Sequence, residues 1–434
     1  MFSRRSFIWT SAAAFAASRV PRVFAREAQA AGALPPSLAA LTSMRAQATP
    51  IDNVERRARV EKARRLMAQH RIDALMLTQG TSLVYYTNIR WGGGERLTAC
   101  IIPAKGDPFV VCPAFEEDRA REQIELGPFG DATADVRTWN EDESPYALVA
   151  KGLKDRGVAT GTLGIEETTK FVWSDSVAQA APALKLVSAT PVVAGCRMIK
   201  EPHEIELMRL ASKVTLKAYE AAYRALKAGM TQDTVASLVA QAHDRLGFSG
   251  GAGVQVGTFT ALPHGSIQPQ TIREGTIIMM DGGCAVEGYQ SDITRTFVLG
   301  RPTDKMKRVF DIVKQAQTAT LKAAKPGVPL DALDAAARGV IVDAGYGPGF
   351  TFFSHRVGHG MGMDGHEWPY LVKNNMYGWE QHLTLQPHMT FSDEPGVYIK
   401  GEFGVRLEDD LHITEDGAEL FTPQSASLEA PFGG

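Results

Sequence analysis

The stretch Met279-Met280-Asp281-Gly282-Gly283-Cys284-Ala285-Val286-Glu287-Gly288-Tyr289-Gln290-Ser291-Asp292-Ile293-Thr294-Arg295-Thr296 sets two aspartates among apolar residues and glycines. Asp281 follows Ile277, Ile278, Met279 and Met280, a run that should carry it at least partly into the interior. An ionised carboxylate there is costly unless it is paired or binds a metal. A cation would remove that cost.

Three later segments repeat the pattern. They are Gly358-His359-Gly360-Met361-Gly362-Met363-Asp364-Gly365-His366-Glu367-Trp368-Pro369, Asp393-Glu394-Pro395-Gly396-Val397-Tyr398 and Gly404-Val405-Arg406-Leu407-Glu408-Asp409-Asp410. Taken singly each is ordinary: a glycine loop with one histidine, a Pro-Gly turn, an acidic strand end. Their weight comes from occurring together and in this order. Asp281, Asp292, His359, Glu394 and Glu408 form an oxygen-rich donor set that suits manganese, cobalt or zinc better than copper or an iron-sulfur cluster. Four carboxylates exceed what one cation needs, whereas two cations roughly 3.5–4 Å apart use them well, with a hydroxide held between them as the attacking group. The chemistry so implied is direct hydrolysis with no covalent enzyme intermediate. A thiol nucleophile has little support, since none of Cys100, Cys112, Cys196 and Cys284 lies beside a catalytic-looking histidine in sequence. Their spacing also offers no cysteine metal site and no essential disulfide.

On these segments the chain resembles the pita-bread metallopeptidases, the group that includes aminopeptidase P, prolidase, methionine aminopeptidase and the metal-free creatinase. The resemblance is strong over about residues 195 to 425 and weak over about 50 to 195. It implies an α+β fold: a C-terminal pseudo-twofold pita-bread catalytic domain preceded by a smaller α/β creatinase/prolidase-type domain. It makes Asp281, Asp292, His359, Glu394 and Glu408 the ligands of a dinuclear centre, manganese first and cobalt or zinc as alternatives. Glu394 is implied as acid/base residue as well as ligand. His264 in Ala-Leu-Pro-His-Gly, His355, His366 and Arg406 match positions beside the substrate, with His366 and His264 as catalytic donors. Gly365 and Asp393 depart from the family pattern; Asp393 either raises the pKa of its neighbour or points to solvent. The implied substrate is a proline-containing peptide, cut before proline by an Xaa-Pro aminopeptidase or an Xaa-Pro dipeptidase (prolidase). An ectoine-hydrolase-like amide hydrolase and a non-catalytic binding protein are the alternatives, and five retained ligands argue against the second. Relatives are commonly dimers, so the resemblance allows a homodimer and leaves the oligomeric state open.

Length and composition agree with this. The 434 residues suffice for two or three domains, and 44% hydrophobic residues can supply their cores. A net charge of −3 offers no footprint for nucleic acid, and no internal run of apolar residues is long enough for a membrane span in the mature protein. Ser3-Arg4-Arg5-Ser6-Phe7-Ile8 ahead of a short apolar run reads as a twin-arginine signal over residues 1–30, with cleavage after Ala25 or Ala30 and export to the periplasm. Arg19 and Arg22 after the run disfavour the general secretion route.

A Pro- and Ala-rich linker is expected over 31–50, an N-terminal α/β domain over 51–195 and the catalytic domain over 196–434. Val54 to Gln69 has the period of an amphipathic surface helix. The apolar runs at 74–77, 83–86, 99–102 and 109–111 then alternate with helix-like stretches, and Arg197-Met198-Ile199-Lys200-Glu201-Pro202 opens a long helix. A faint internal echo pairs Lys227-Ala228-Gly229-Met230-Thr231 with Lys325-Pro326-Gly327-Val328-Pro329, each a glycine turn before an Asp-containing helix start. Residues 371–386 form either a rim loop over the site or a variable surface loop.

Overall fold

The computed structural model describes residues 34–130 and 134–432. The twin-arginine signal lies outside the described residues.

The first half is built on one mixed six-stranded sheet. Its strands are β1 (Ala74–Thr78), β2 (Ala99–Pro103), β3 (Phe109–Pro113), β4 (Asp135–Trp139), β5 (Gly161–Ile165) and β6 (Leu184–Ser188), ordered β4-β3-β2-β1-β5-β6. β1, β2 and β3 are buried along their whole length, as near-continuous apolar runs covered on both faces should be. The run Leu83–Tyr86 differs: it lies within the helix Thr81–Thr87. A short buried apolar run does not by itself distinguish strand from helix.

The helix expected over 54–69 runs from Asn53 to His70, opened by an Asp52/Glu55 capping box and closed by Arg71 in the left-handed region. Its buried face holds Val60, Ala63 and Met67 but also Arg56 and Arg59, so it is not amphipathic in the simple sense. Arg59 is 1% exposed and inserts between the halves of the molecule, donating to the Tyr289 hydroxyl at 2.9 Å beside Glu204 at 3.4 Å. Burial works against its charge, and Glu204, Tyr289, Tyr85 and Glu201 together outweigh that penalty.

Two expectations need correction. The stretch read as a linker is, from residue 34 onward, docked on the second half: Leu38 and Met44 are buried in its core, Leu41 packs against it, and Ser37 Oγ donates to the Ala221 carbonyl at 2.8 Å. Its three apolar side chains outweigh its Pro/Ala-rich composition. The long helix begins later than expected, at Pro202; Arg197 ends a separate helix, Thr190–Arg197. Proline at the first helical position, with a Glu201/Glu204 capping box, fixes that start.

The second half repeats one plan. A helix pair, Pro202–Ala225 and Gln232–Leu246, precedes β7 (Gly250–Val256), β8 (Ile277–Val286), β9 (Tyr289–Gln290) and β10 (Ile293–Val298). A second pair, Asp304–Ala323 and Leu330–Asp343, precedes β11 (His359–Gly360), β12 (Glu367–Tyr370), β13 (Thr390–Asp393), β14 (Gly396–Ile399), β15 (Phe403–Arg406), β16 (Asp409–Ile413) and β17 (Ala418–Leu420). The sheets are β10-β8-β7 with β9 on β8, and β12-β11-β13-β16-β17, plus the hairpin β14-β15. The echo is physical: Gly229 and Gly327 both take positive φ, and their N–H groups donate to Ile272 and Leu385 at 2.9 and 2.8 Å. Two residues on, Thr231 bridges Thr271 and Pro329 bridges Thr384. Ile278 and Met280 pack into the core under the first helix pair and Ile277 into that under the second, so β8 ties the halves together.

Candidate metal centre

β8 and β10 are antiparallel with Asp281 opposite Thr294, and the glycines after Asp281 make this approach possible. A Cβ at Gly283 would stand 1.8 Å from the Ser291 carbonyl oxygen, so only glycine lets the chain fold back closely enough to bring Asp292 beside Asp281. Gly358 serves the same purpose across the second sheet, where a Cβ would stand 2.1 Å from the Ser392 oxygen. Its neighbour His359 therefore sits on β11 facing Glu394, which follows β13. Glu408 comes from the short link between β15 and β16.

These five residues converge on a cavity of about 500 Å³ that His264, His355, His366 and Arg406 also line. Donor atoms of Asp281, Asp292 and Glu408 lie within 4.8 Å of one another, as do those of His359, Glu394 and Glu408. Glu408 belongs to both of these trios, and a third trio joins Asp292 and His359 to His366. His359 donates from Nδ1 to the Gly360 carbonyl at 3.1 Å, leaving Nε2 as a lone pair 3.4 Å from Glu394 and 3.9 Å from Asp292. Burial, and then the neighbouring His366, pushes its pKa down to about 3, so the ring is neutral. A neutral imidazole oriented by a backbone carbonyl is how histidine binds a metal.

The carboxylates fit a cation for the opposite reason. Burial and then Asp281 push Asp292 well above the usual range; burial and then Asp292 do the same to Glu408. Burial raises Glu394 to about 7 against the pull of Arg406. This crowd of buried carboxylates resists full ionisation at neutral pH unless positive charge enters. Arg406 supplies part of it: Nη2 meets Asp281 at 2.5 Å, and Nη1 donates to the Tyr398 hydroxyl and the Pro263 carbonyl, each at 2.9 Å.

The histidines differ in what they offer. His366 stacks on His359 with centroids 3.5 Å apart, and Arg356 donates to its Nδ1 at 3.2 Å. A guanidinium only donates, so Nδ1 accepts and Nε2 carries the proton. His355 has both nitrogens engaged, Nδ1 donating to the Arg356 carbonyl at 2.8 Å and Nε2 accepting from Tyr398 at 2.7 Å. Its Nδ1 also lies 3.8 Å from Glu394, and burial and then Arg406 lower its pKa to about 3. His264 lies on an exposed loop at the rim. Asp393 does not point to solvent: it is fully buried, its carboxyl oxygens meet no hydrogen-bond partner among the described residues, and burial pushes its pKa well up.

Several contributors escaped the sequence reading. Thr294 Oγ1 lies 2.9 Å from Asp281 and 2.6 Å from Glu408, and Tyr398 joins His355 to Arg406. Pairing β8 with β10 in register places Thr294 opposite Asp281 and is the signal that finds it. From the 371–386 stretch, Val372 and Met376 line the cavity, and Asn375, in the left-handed region, accepts from the Tyr370 N–H at 2.7 Å. Four buried free thiols account for the cysteines, none of them lining the cavity.

Metallopeptidase family M24 matches residues 206–415, and the creatinase/prolidase N-terminal domain matches residues 59–199. The chain is 36% identical to a probable dipeptidase PepE of Mycobacterium tuberculosis over 347 residues, covering 79% of this chain and 88% of that protein. It is 30% identical to an Xaa-Pro dipeptidase of Lactobacillus delbrueckii subsp. lactis over 379 residues, 85% of this chain and 98% of the relative. The crystal structure of dipeptidase PepE from Mycobacterium ulcerans superposes with a TM-score of 0.80 at 31% identity, covering 88% of this chain and 99% of that one.

Proposed function

The chain belongs to metallopeptidase family M24, and we propose that it hydrolyses the peptide bond before proline, with two divalent cations, manganese first, held by Asp281, Asp292, His359, Glu394 and Glu408. The observation that carries this is the pair of adjacent donor trios sharing Glu408. One shared carboxylate between two trios is the arrangement that suits two cations rather than one. Relatives named dipeptidase and Xaa-Pro dipeptidase favour the dipeptidase form over the aminopeptidase.

When bound, the cations supply Lewis acidity, polarising the scissile carbonyl and lowering the pKa of the attacking water. Glu394, whose carboxylate lines the cavity, takes the proton from that water and returns it to the proline nitrogen. The leaving group needs that proton because proline departs as a secondary amine. His366, its Nδ1 occupied by Arg356, offers Nε2–H to the oxygen on which negative charge develops, and His264 at the rim adds a second donor. Arg406 holds Asp281, while His355 acts through Tyr398, positioning Arg406. The reading includes export by the twin-arginine signal and a homodimer.

The test uses Ala-Pro and Ala-Pro-Ala with the full-length protein, after chelation and after add-back of manganese, cobalt or zinc. Metal-restored cleavage of Ala-Pro with little of Ala-Pro-Ala supports the dipeptidase; the reverse preference supports the aminopeptidase. Cleavage of neither with any metal refutes the reading.

A further inference from the structure

A second cavity, of about 420 Å³, lies where the N-terminal sheet meets the catalytic half, and His366 lines both it and the metal cavity. Its walls carry Glu166 and Glu167 just after β5, Arg197 from the helix Thr190–Arg197, Asp364 from the segment leading into β12, and Glu367 at the first position of β12. The charges do not balance. Arg197 bonds Asp364 and Glu367, and Lys200 meets Glu367 at 2.7 Å, so two cations answer two carboxylates. Glu166 and Glu167 form no salt bridge among the described residues, and Arg197, already shared by two carboxylates, only partly offsets the cost of burying Glu166. Among the described residues Glu167 accepts only the neutral Trp368 indole N–H, at 3.0 Å.

Glu166 is the telling residue. It is 5% exposed, and its Oε2 has no hydrogen-bond partner among the described residues. A nearly buried carboxylate with an orphan oxygen is costly, and the remedy is a cation with N–H groups to donate. Burial accordingly pushes its pKa above the ordinary range. The Gln79 amide oxygen, on the same cavity, is also buried without a partner. Beside these acceptors stand Trp368, Tyr370 and Val193, apolar surface of the kind that receives an aliphatic stem carrying a charged head.

We propose that this cavity is a subsite for a cationic side chain of the substrate, that of a lysine or arginine directly preceding the proline. The inference rests on the peptidase reading above. In an Xaa-Pro dipeptide the proline ring carries no charge, so only the Xaa residue can bring a side-chain cation to a cavity that adjoins the metal site at His366.

The test compares kcat/KM of the full-length, metal-loaded protein for Lys-Pro, norleucyl-Pro and Ala-Pro, with calorimetric titration of lysinamide and norleucinamide alongside. Norleucine keeps the stem and the α-ammonium and lacks only the side-chain charge. Lys-Pro should exceed norleucyl-Pro by roughly tenfold, chiefly through KM, and Glu166→Gln should bring the ratio close to one. Lysinamide should bind the unaltered protein and norleucinamide should not. Cleavage of Ala-Pro with no preference for Lys-Pro overturns the subsite and leaves the peptidase reading standing, as does a preference that survives Glu166→Gln. If no Xaa-Pro dipeptide is cleaved, the peptidase reading falls, and lysinamide binding that Glu166→Gln abolishes still upholds the cation site. Failure of lysinamide to bind then overturns it, and because this arm needs only the unaltered protein it decides even if the variant does not fold.

Discussion

Replacing Thr294 by valine should weaken metal binding without removing a ligand. The hydroxyl lies 2.9 Å from Asp281 Oδ1 and 2.6 Å from Glu408 Oε2, and accepts from Arg406 Nε at 3.2 Å. It has one proton for two carboxylates, so at any moment it makes one charge-assisted hydrogen bond and holds the second oxygen only by proximity. Valine matches its β-branched shape on β10 and takes away the proton. A hydrogen bond to a charged group is worth about 1.5–3 kcal/mol, or roughly ten- to a hundredfold in affinity, which agrees with the loss of about ten- to a hundredfold seen when groups that orient metal ligands are removed. The assay is competition for metal against a chelating dye, with thermal unfolding of the metal-free protein as a control for folding. Thr294→Ser should stay within a few-fold of the unaltered protein, and saturating metal should restore most of the kcat of Thr294→Val. Unchanged affinity in the valine variant would falsify the assignment of Thr294 as the strut between two ligands.

Other consequences follow from single features. Arg295 and Asp409 pair at 2.6 Å with neither exposed, so Arg295→Met should cost about 3–5 kcal/mol in urea unfolding, with Asp409→Leu added to it recovering a large part; a single-variant loss below about 1 kcal/mol contradicts this. Burial lowers the pKa of His243. As pH falls below the ordinary histidine value of about 6.5, the unfolded chain gains a proton that the folded one refuses, and stability drops by up to about 1.4 kcal/mol per pH unit. His243→Gln should remove that share of the loss between pH 6.5 and 5.5; a steeper loss in the variant would show the sign to be wrong. For export, Arg4→Lys combined with Arg5→Lys should keep the protein in the cytoplasm of a bacterial host, whereas periplasmic recovery equal to that of the unaltered chain counts against a twin-arginine route.

What the sequence disclosed depended on whether a residue's role is local. Asp281, Asp292, His359, Glu394 and Glu408 sit in short segments whose glycines and apolar neighbours show in the sequence, and the structure gathers all five on one cavity. Gly229 and Gly327 were legible because a glycine turn before a helix has a local reason. Arg59 was not: as one of many charged residues in a helix it looks solvated, and only Glu204 and Tyr289, distant in sequence, explain its burial. Thr294, Tyr398 and Glu166 were missed for the same reason, since their partners come from other strands or the other half of the chain. Leu83–Tyr86 was ambiguous because burial erases the periodicity that separates helix from strand. The start of the long helix was misplaced although Pro202 and Glu201/Glu204 mark it plainly.

The central claim is tested most directly by counting metal on the protein and following hydrolysis as it is removed. The unaltered chain should hold two divalent cations, lose Ala-Pro cleavage on chelation and regain it on add-back. Glu408→Ala, which removes the carboxylate common to both trios, should hold at most one and cut the rate by at least about a hundredfold. Full Ala-Pro hydrolysis by a metal-free protein, or by Glu408→Ala, would contradict the account.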